Sequence, residues 1–178
     1  MRRVLDRARA ALVVVDMQEA FRPAVGEFDA VAANAAVLVQ GARALGIPVV
    51  VTEQYPEGLG GTVPEVASLL GGVEPVAKTV FSAARADGFS LHGRDQALLC
   101  GIEAHVCVQQ TAQDLLDAGV EVHVAADAVT SRTALNRRLG LEKMEGSGAV
   151  VTSTEMALFE LVERAGTPEF KTIQKLVK

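Results

Sequence analysis

Five short runs rich in Val, Ala and Leu punctuate the chain: ALVVV (11–15), IPVVVT (47–52), QALLCGI (96–102), VEVHVAA (120–126) and GAVVTS (148–153). They are nearly continuous rather than alternating, the pattern of parallel strands covered on both faces. Helical spacing fills the intervals. Val31, Ala35, Leu38, Ala42 and Leu45 recur at steps of four, three, four and three, then stop at Gly46, a residue type that closes helices. Val108, Thr111, Ala112, Leu115 and Leu116 repeat the pattern before Gly119, and further helices are expected over 133–144, 155–164 and 168–177. Strand and helix in alternation predict an α/β domain with a central parallel sheet, its helices spread over both faces by right-handed crossovers. With no linker, repeat or low-complexity tract, residues 1–178 are expected to form a single domain.

Composition narrows the function classes. Hydrophobic residues make up 49% of the chain and aromatic ones 4%, so the core is expected to consist mainly of Ala, Val and Leu. A formal net charge of −5 argues against nucleic acid or an anionic membrane as partner, since both demand a basic face. No run reaches the ~18–20 apolar residues of a membrane span. ALVVV, ending at Asp16, is also shorter than the ~7–15 residues of a signal h-region. A cytoplasmic protein is expected, and its two cysteines make no disulfide framework.

In open parallel sheets the chemistry collects beyond the carboxyl ends of the strands, so polar residues at strand exits come first. Asp16, in VVVDMQEAFRP, reads equally as a turn or helix cap and as a general base in an apolar mouth. TEQYPEGLGGT (52–62) is a loop marked by Pro56, Gly58, Gly60 and Gly61, either a flexible lid or a plain surface loop. Neither a P-loop nor a dinucleotide glycine fingerprint occurs, and no cofactor is expected. Lys78, in VAKTVFSAA, either snorkels at a strand end, the commoner case for a lone lysine, or pairs with an acid.

The stretch LLCGIEAHVCVQQTAQDLLDAG (98–119) holds both cysteines. Cys100 lies inside a strand-like run and is expected to be an inert small hydrophobe. Cys107 falls where a helix begins, and unpaired N–H groups there favour an anion. A lowered thiol pKa is therefore expected, which makes Cys107 the candidate nucleophile. His105 is either its partner or a turn residue, while Asp16 and Lys78 come from other strand exits. His92, His105 and His123 show no metal-ligand spacing, and His123 reads as packed within a strand. A thiol redox role is disfavoured because the cysteines are seven residues apart.

The segments VVVDMQEAF, TEQYPEGLGGT, KTVFSA and GIEAHVCVQQTAQDLLDAG, in this order, resemble the isochorismatase-like cysteine hydrolases. The likeness runs from about residue 10 to the C-terminus, through EMALFELVERAG and PEFKTIQKLVK, and is greatest to the metal-free isochorismatase domain-containing branch. It implies a three-layer sandwich around six parallel strands and an Asp–Lys–Cys triad on Asp16, Lys78 and Cys107. It also implies a cis peptide at Ile102–Glu103 and an oxyanion hole built from the N–H groups of Glu103 and Cys107. The metal-binding branch carries an Asp-x-His pattern where this chain reads Glu53-Gln54-Tyr55-Pro56, so no catalytic metal is expected. The implied activity is hydrolysis of a C–N bond in a small amide through a thioester. A catalytically silent small-molecule-binding or scaffold protein of the same fold is the alternative. Gln18, Phe21, Arg22, Tyr55, Phe81 and His105 are candidate pocket residues. Phe21 and Phe81 read equally as core, and a solvated Arg22 is the commoner case. Relatives form oligomers, and FKTIQKLVK carries apolar residues at helical spacing, so a homo-oligomer is expected.

Overall fold

Every side chain of the first strand, β1 (Ala10–Val15), is buried in the computed structural model of the chain, which describes residues 4–178. Ala10, Leu12 and Val14 join one apolar core, while Ala11, Val13 and Val15 join a second on the opposite face. Two covered faces explain why the run is continuous. The remaining strands are β2 (Val49–Gln54), β3 (Val76–Lys78), β4 (Gln96–Ile102), β5 (Glu121–Thr130) and β6 (Val150–Thr152). All six are parallel, in the order β3-β2-β1-β4-β5-β6.

Right-handed crossovers send helices to opposite faces when the sheet grows in opposite directions from β1. On one face lie α1 (Phe28–Ala44), α3 (Pro64–Ala67), α6 (Thr154–Val162) and α7 (Pro168–Leu176). On the other lie α4 (Cys107–Asp117) and α5 (Ala134–Gly146), and the single turn α2 (Pro56–Leu59) follows β2. The glycine signals act as expected. Gly46, at φ 67°, closes α1 by donating to Arg43 O while Ile47 donates to Ala42 O. Thr133, Ser153 and Thr167 cap α5, α6 and α7 with side-chain oxygens.

Three features depart from the sequence pattern. β2 runs two residues beyond its apolar stretch, to Gln54. β5 extends to Thr130 through a bulge, since Leu99 pairs with Val124 but Gly101 with Val129. The apolar face of FKTIQKLVK is consumed within the chain rather than presented to a partner. Ile173 is fully buried, Leu176 and Val177 pack on the core, and Phe170 lies 6.1 Å from Phe159. No helix among the described residues is long and apolar enough to cross a membrane.

One glycine sets the spacing of the sheet where it matters for the site. Gly101 sits at φ 117°, and a Cβ there would lie 2.0 Å from Val15 O. Only glycine lets the end of β4 approach the end of β1 this closely.

Candidate active site

The lateral path of the sheet reverses between β1 and β4, where an open parallel sheet leaves a crevice beyond its strand ends. Asp16 is the first residue after β1, Lys78 is the last of β3, and Cys107 opens α4 after the connection 103–106. Asp16 has φ 52°, a left-handed conformation uncommon outside glycine but tolerated by Asp. Its N–H still bonds Thr52 O at 3.1 Å, and its carbonyl accepts from Gln18 N–H at 2.8 Å. The chain thus turns off the sheet while the carboxylate stays inside.

That carboxylate is fully engaged. Oδ1 accepts the Thr52 hydroxyl at 2.7 Å and Oδ2 accepts Lys78 Nζ at 2.7 Å, with neither Asp16 nor Lys78 side chain reaching solvent. Lys78 Nζ donates further to Gln54 Oε1 (2.6 Å), Phe81 O (3.0 Å) and Val80 O (3.3 Å). Four acceptors surround three N–H donors, so this lysine pairs with an acid and does not snorkel. A buried pair is held by such complete bonding, and removing one partner costs about 3–5 kcal/mol.

Cys107 completes the cluster at 5% exposure, its Sγ 4.0 Å from Gln54 Oε1. The expectation of a lowered thiol pKa is overturned. Burial pushes the thiol up to about 12, the Asp16 carboxylate adds to the rise, and Lys78 offsets only part of it. Loss of hydration and a neighbouring carboxylate both oppose a second anion, and the helix start does not outweigh them. The resting site therefore holds the Asp16–Lys78 ion pair and a protonated thiol. The Ile102–Glu103 peptide is cis. Neither the Glu103 nor the Cys107 backbone N–H donates a hydrogen bond within the described residues.

The family model described as Isochorismatase domain matches residues 10–156. The chain belongs to the isochorismatase family. Isochorismatase domain-containing protein 2A of Mus musculus is 45% identical over 170 residues, covering 94% of this chain and 82% of that protein. Isochorismatase domain-containing protein 2 of Homo sapiens is 45% identical over 172 residues, covering 95% and 83%. A solved structure described as the MAR1 ribonuclease of Caenorhabditis elegans matches with a TM-score of 0.92 at 39% identity, covering 98% of this chain and 92% of that one. The sheet and its two helical layers are thus those of an isochorismatase-like hydrolase.

Within this isochorismatase domain the other candidate residues take varied places. Gln18 is fully buried. Its amide bonds Gln54 N–H (2.8 Å), Gln54 O (3.0 Å) and Gly60 O (2.6 Å), strapping the glycine loop to β2. Phe21 packs on the core. Arg22 is claimed by Glu19, Asp29 and Glu65 and lies over the Phe28 ring, so it is not free for a substrate carboxylate. Tyr55 and Phe81 are each 53% exposed, and the Tyr55 ring covers Gly58. His105 Nδ1 lies 3.0 Å from Ser131 Oγ and not against the thiol. Glu53 accepts from the Thr62 N–H (2.6 Å) and hydroxyl (2.7 Å). Among the described residues no group of three His, Cys, Asp or Glu side chains could hold a metal ion. A cavity of about 230 Å³ beside β3, lined by Pro56, Lys78, Val80 and Arg85 among others, takes in neither Asp16 nor Cys107.

Sequence reasoning missed three contributors. Thr52 and Gln54 sit at the exit of β2 in plain view, but nothing in their spacing reveals which atoms they touch. The third is Arg132, whose guanidinium meets the Glu103 carboxylate at 2.7 Å and whose N–H meets it at 2.8 Å. Burial raises the Glu103 carboxyl, but its bonds to Arg132 outweigh that and hold it below the ordinary carboxylate range. With Gly140 packed under Ala104, where a Cβ would lie 2.6 Å from the Ala104 carbonyl, residues 103–106 are clamped from two sides.

Proposed function

We propose that this chain is a cysteine-dependent hydrolase that cleaves the C–N bond of a small amide through a thioester, with Asp16, Lys78 and Cys107 as its catalytic residues. The observation that carries the reading is the solvent-free Asp16–Lys78 pair, 2.7 Å apart, beside the Cys107 thiol. As substrate arrives, Asp16 takes the thiol proton and sulfur bonds to the carbonyl carbon. The oxyanion is met by the Glu103 and Cys107 N–H groups. Collapse breaks the C–N bond, and Asp16 returns the proton to the leaving amine. Water then gives a proton to Asp16 and adds to the thioester; collapse expels the thiolate, which recovers that proton. Lys78 balances the negative charge as it moves from carboxylate to sulfur and back.

A thiol raised to about 12 is compatible with this scheme. Moving one proton from Cys107 to Asp16 leaves the number bound unchanged, so the thiolate fraction of the pair is independent of pH while they share it. Positioned base catalysis of this kind contributes about 10²–10⁴-fold. The competing reading, a silent binding protein of the same fold, draws on the burial of the thiol at 5% exposure. The ribonuclease in the description of the nematode structure belongs to that protein. Here Lys78 has no capacity left for a phosphate, since all its donors are taken. A homo-oligomer remains part of the proposal, with Leu135 and Leu139 of α5 exposed on the face opposite the C-terminal helix.

The test is a panel of small carboxamides, read by amine release and by acid-quench mass spectrometry of the Cys107 peptide. An acyl mass on Cys107, with turnover lost in Cys107→Ala, is expected. Turnover that survives Cys107→Ala contradicts the thioester route, and saturable binding without any turnover favours the silent reading.

A further inference from the structure

The hydrolase reading uses Asp16, Lys78 and Cys107 but leaves unexplained why a glutamine side chain lies among them, 9% exposed at the end of β2. Gln54 is oriented by chemistry alone. Its Nε2 donates to Thr79 O at 2.9 Å, and a carbonyl can only accept, so the amide oxygen must face the other way. That oxygen meets Lys78 Nζ at 2.6 Å, and an ammonium can only donate. The same oxygen is the one 4.0 Å from Cys107 Sγ. The backbone is pinned as firmly, since Gln54 N–H and C=O are both bonded by the Gln18 amide. A reversed amide would satisfy neither Thr79 O nor Lys78 Nζ.

The geometry points to Gln54 as a positioning residue for the proposed reaction: its neutral amide holds the Lys78 ammonium between Asp16 and Cys107 without adding a second negative charge to the site. This inference rests on the hydrolase reading above and deepens it. The value of neutrality follows from the charge count. In both proton arrangements of the Asp16–Cys107 pair, one anion faces one cation. A carboxylate in place of the amide would hold Lys78 to itself and oppose negative charge on the nearby sulfur. It would also set an oxygen without a proton against Thr79 O. An apolar side chain of the same length would leave the ammonium without its shortest contact and the Thr79 carbonyl without its donor.

The experiment is the rate of iodoacetamide alkylation at Cys107 across neutral pH in wild type, Gln54→Met and Gln54→Glu, with Cys100 in the same digests. In wild type a pH-independent plateau is expected at Cys107. Gln54→Met, which conserves volume, lowers that plateau about tenfold, the equivalent of one pKa unit, and Gln54→Glu lowers it further. Cys100 stays slow in any variant that remains folded; should Gln54→Glu not fold, Gln54→Met carries the test. A Gln54→Met plateau equal to wild type shows that Gln54 only fills space and overturns the inference, with the triad reading intact. Absence of the plateau in wild type itself overturns the triad reading, and this inference with it.

Discussion

Cys100 and Cys107 are both buried, and burial pushes both thiols up to about 12. Cys100 is paired across the sheet with Val14 and packs among aliphatic side chains of the α1 face, and after burial the Asp127 carboxylate adds to the rise of its thiol. Cys107 packs on the opposite face and has the Asp16–Lys78 pair against it. Thiol acidity therefore does not separate a structural cysteine from a candidate nucleophile here. What separates them is the buried carboxylate–ammonium pair beside Cys107, which the proposed reaction uses as proton acceptor and balancing cation.

The contrast breaks most completely if Asp16 is neutralised. Asp16→Asn is expected to slow amide turnover about 10²–10⁴-fold, because the thiol loses its proton acceptor. Because Lys78 is left buried without its anion, stability should also fall by about 3–5 kcal/mol in urea unfolding. Gly101→Ala attacks the same relation through the backbone. Its φ of 117° and the 2.0 Å approach to Val15 O predict a loss of about 1–3 kcal/mol from backbone strain. Overpacking adds a similar amount, and Cys107 should become slower as β4 moves from β1. Cys100→Ala sharpens the comparison from the other side. It should cost about 1 kcal/mol and leave the Cys107 alkylation rate unchanged.

The smallest expected effect is electrostatic. The folded pKa of Glu103 is lowered, so its pairing with Arg132 contributes fully above the ordinary carboxylate range. That contribution is lost as pH falls through the lower, folded value. Arg132→Ala should remove it, seen as a flatter acid limb in stability against pH. Glu103 would then lose its guanidinium partner, and Cys107 reactivity should fall as residues 103–106 loosen.

The fold was legible because near-continuous apolar runs and closing glycines report burial on two faces directly. β1, with all six residues buried, is the clearest case. Position at strand exits also singled out Asp16, Lys78 and Cys107 as candidates before any geometry. Gln54 was missed and the bonds of Gln18 were not foreseen for a physical reason: an amide's role is set by which backbone groups it meets, and those come from segments far apart in sequence. Reading Cys107 from its helix start counted one influence on the thiol and left out the two larger ones, burial and Asp16. The apolar residues of FKTIQKLVK were seen correctly as a face, but spacing alone does not distinguish a neighbouring helix from a second chain.

Proton sharing between Asp16 and Cys107 is tested most directly by the pH dependence of alkylation at the two thiols of the wild-type protein, resolved by peptide mass spectrometry. A Cys107 rate that is level across neutral pH and far above that of Cys100 is expected, with Asp16→Asn converting the level region into a tenfold rise per pH unit. A Cys107 rate that climbs with pH in wild type as it does in Asp16→Asn would contradict that sharing. The thiol would then ionise alone, and the Asp16–Lys78 pair would be structure, not catalysis.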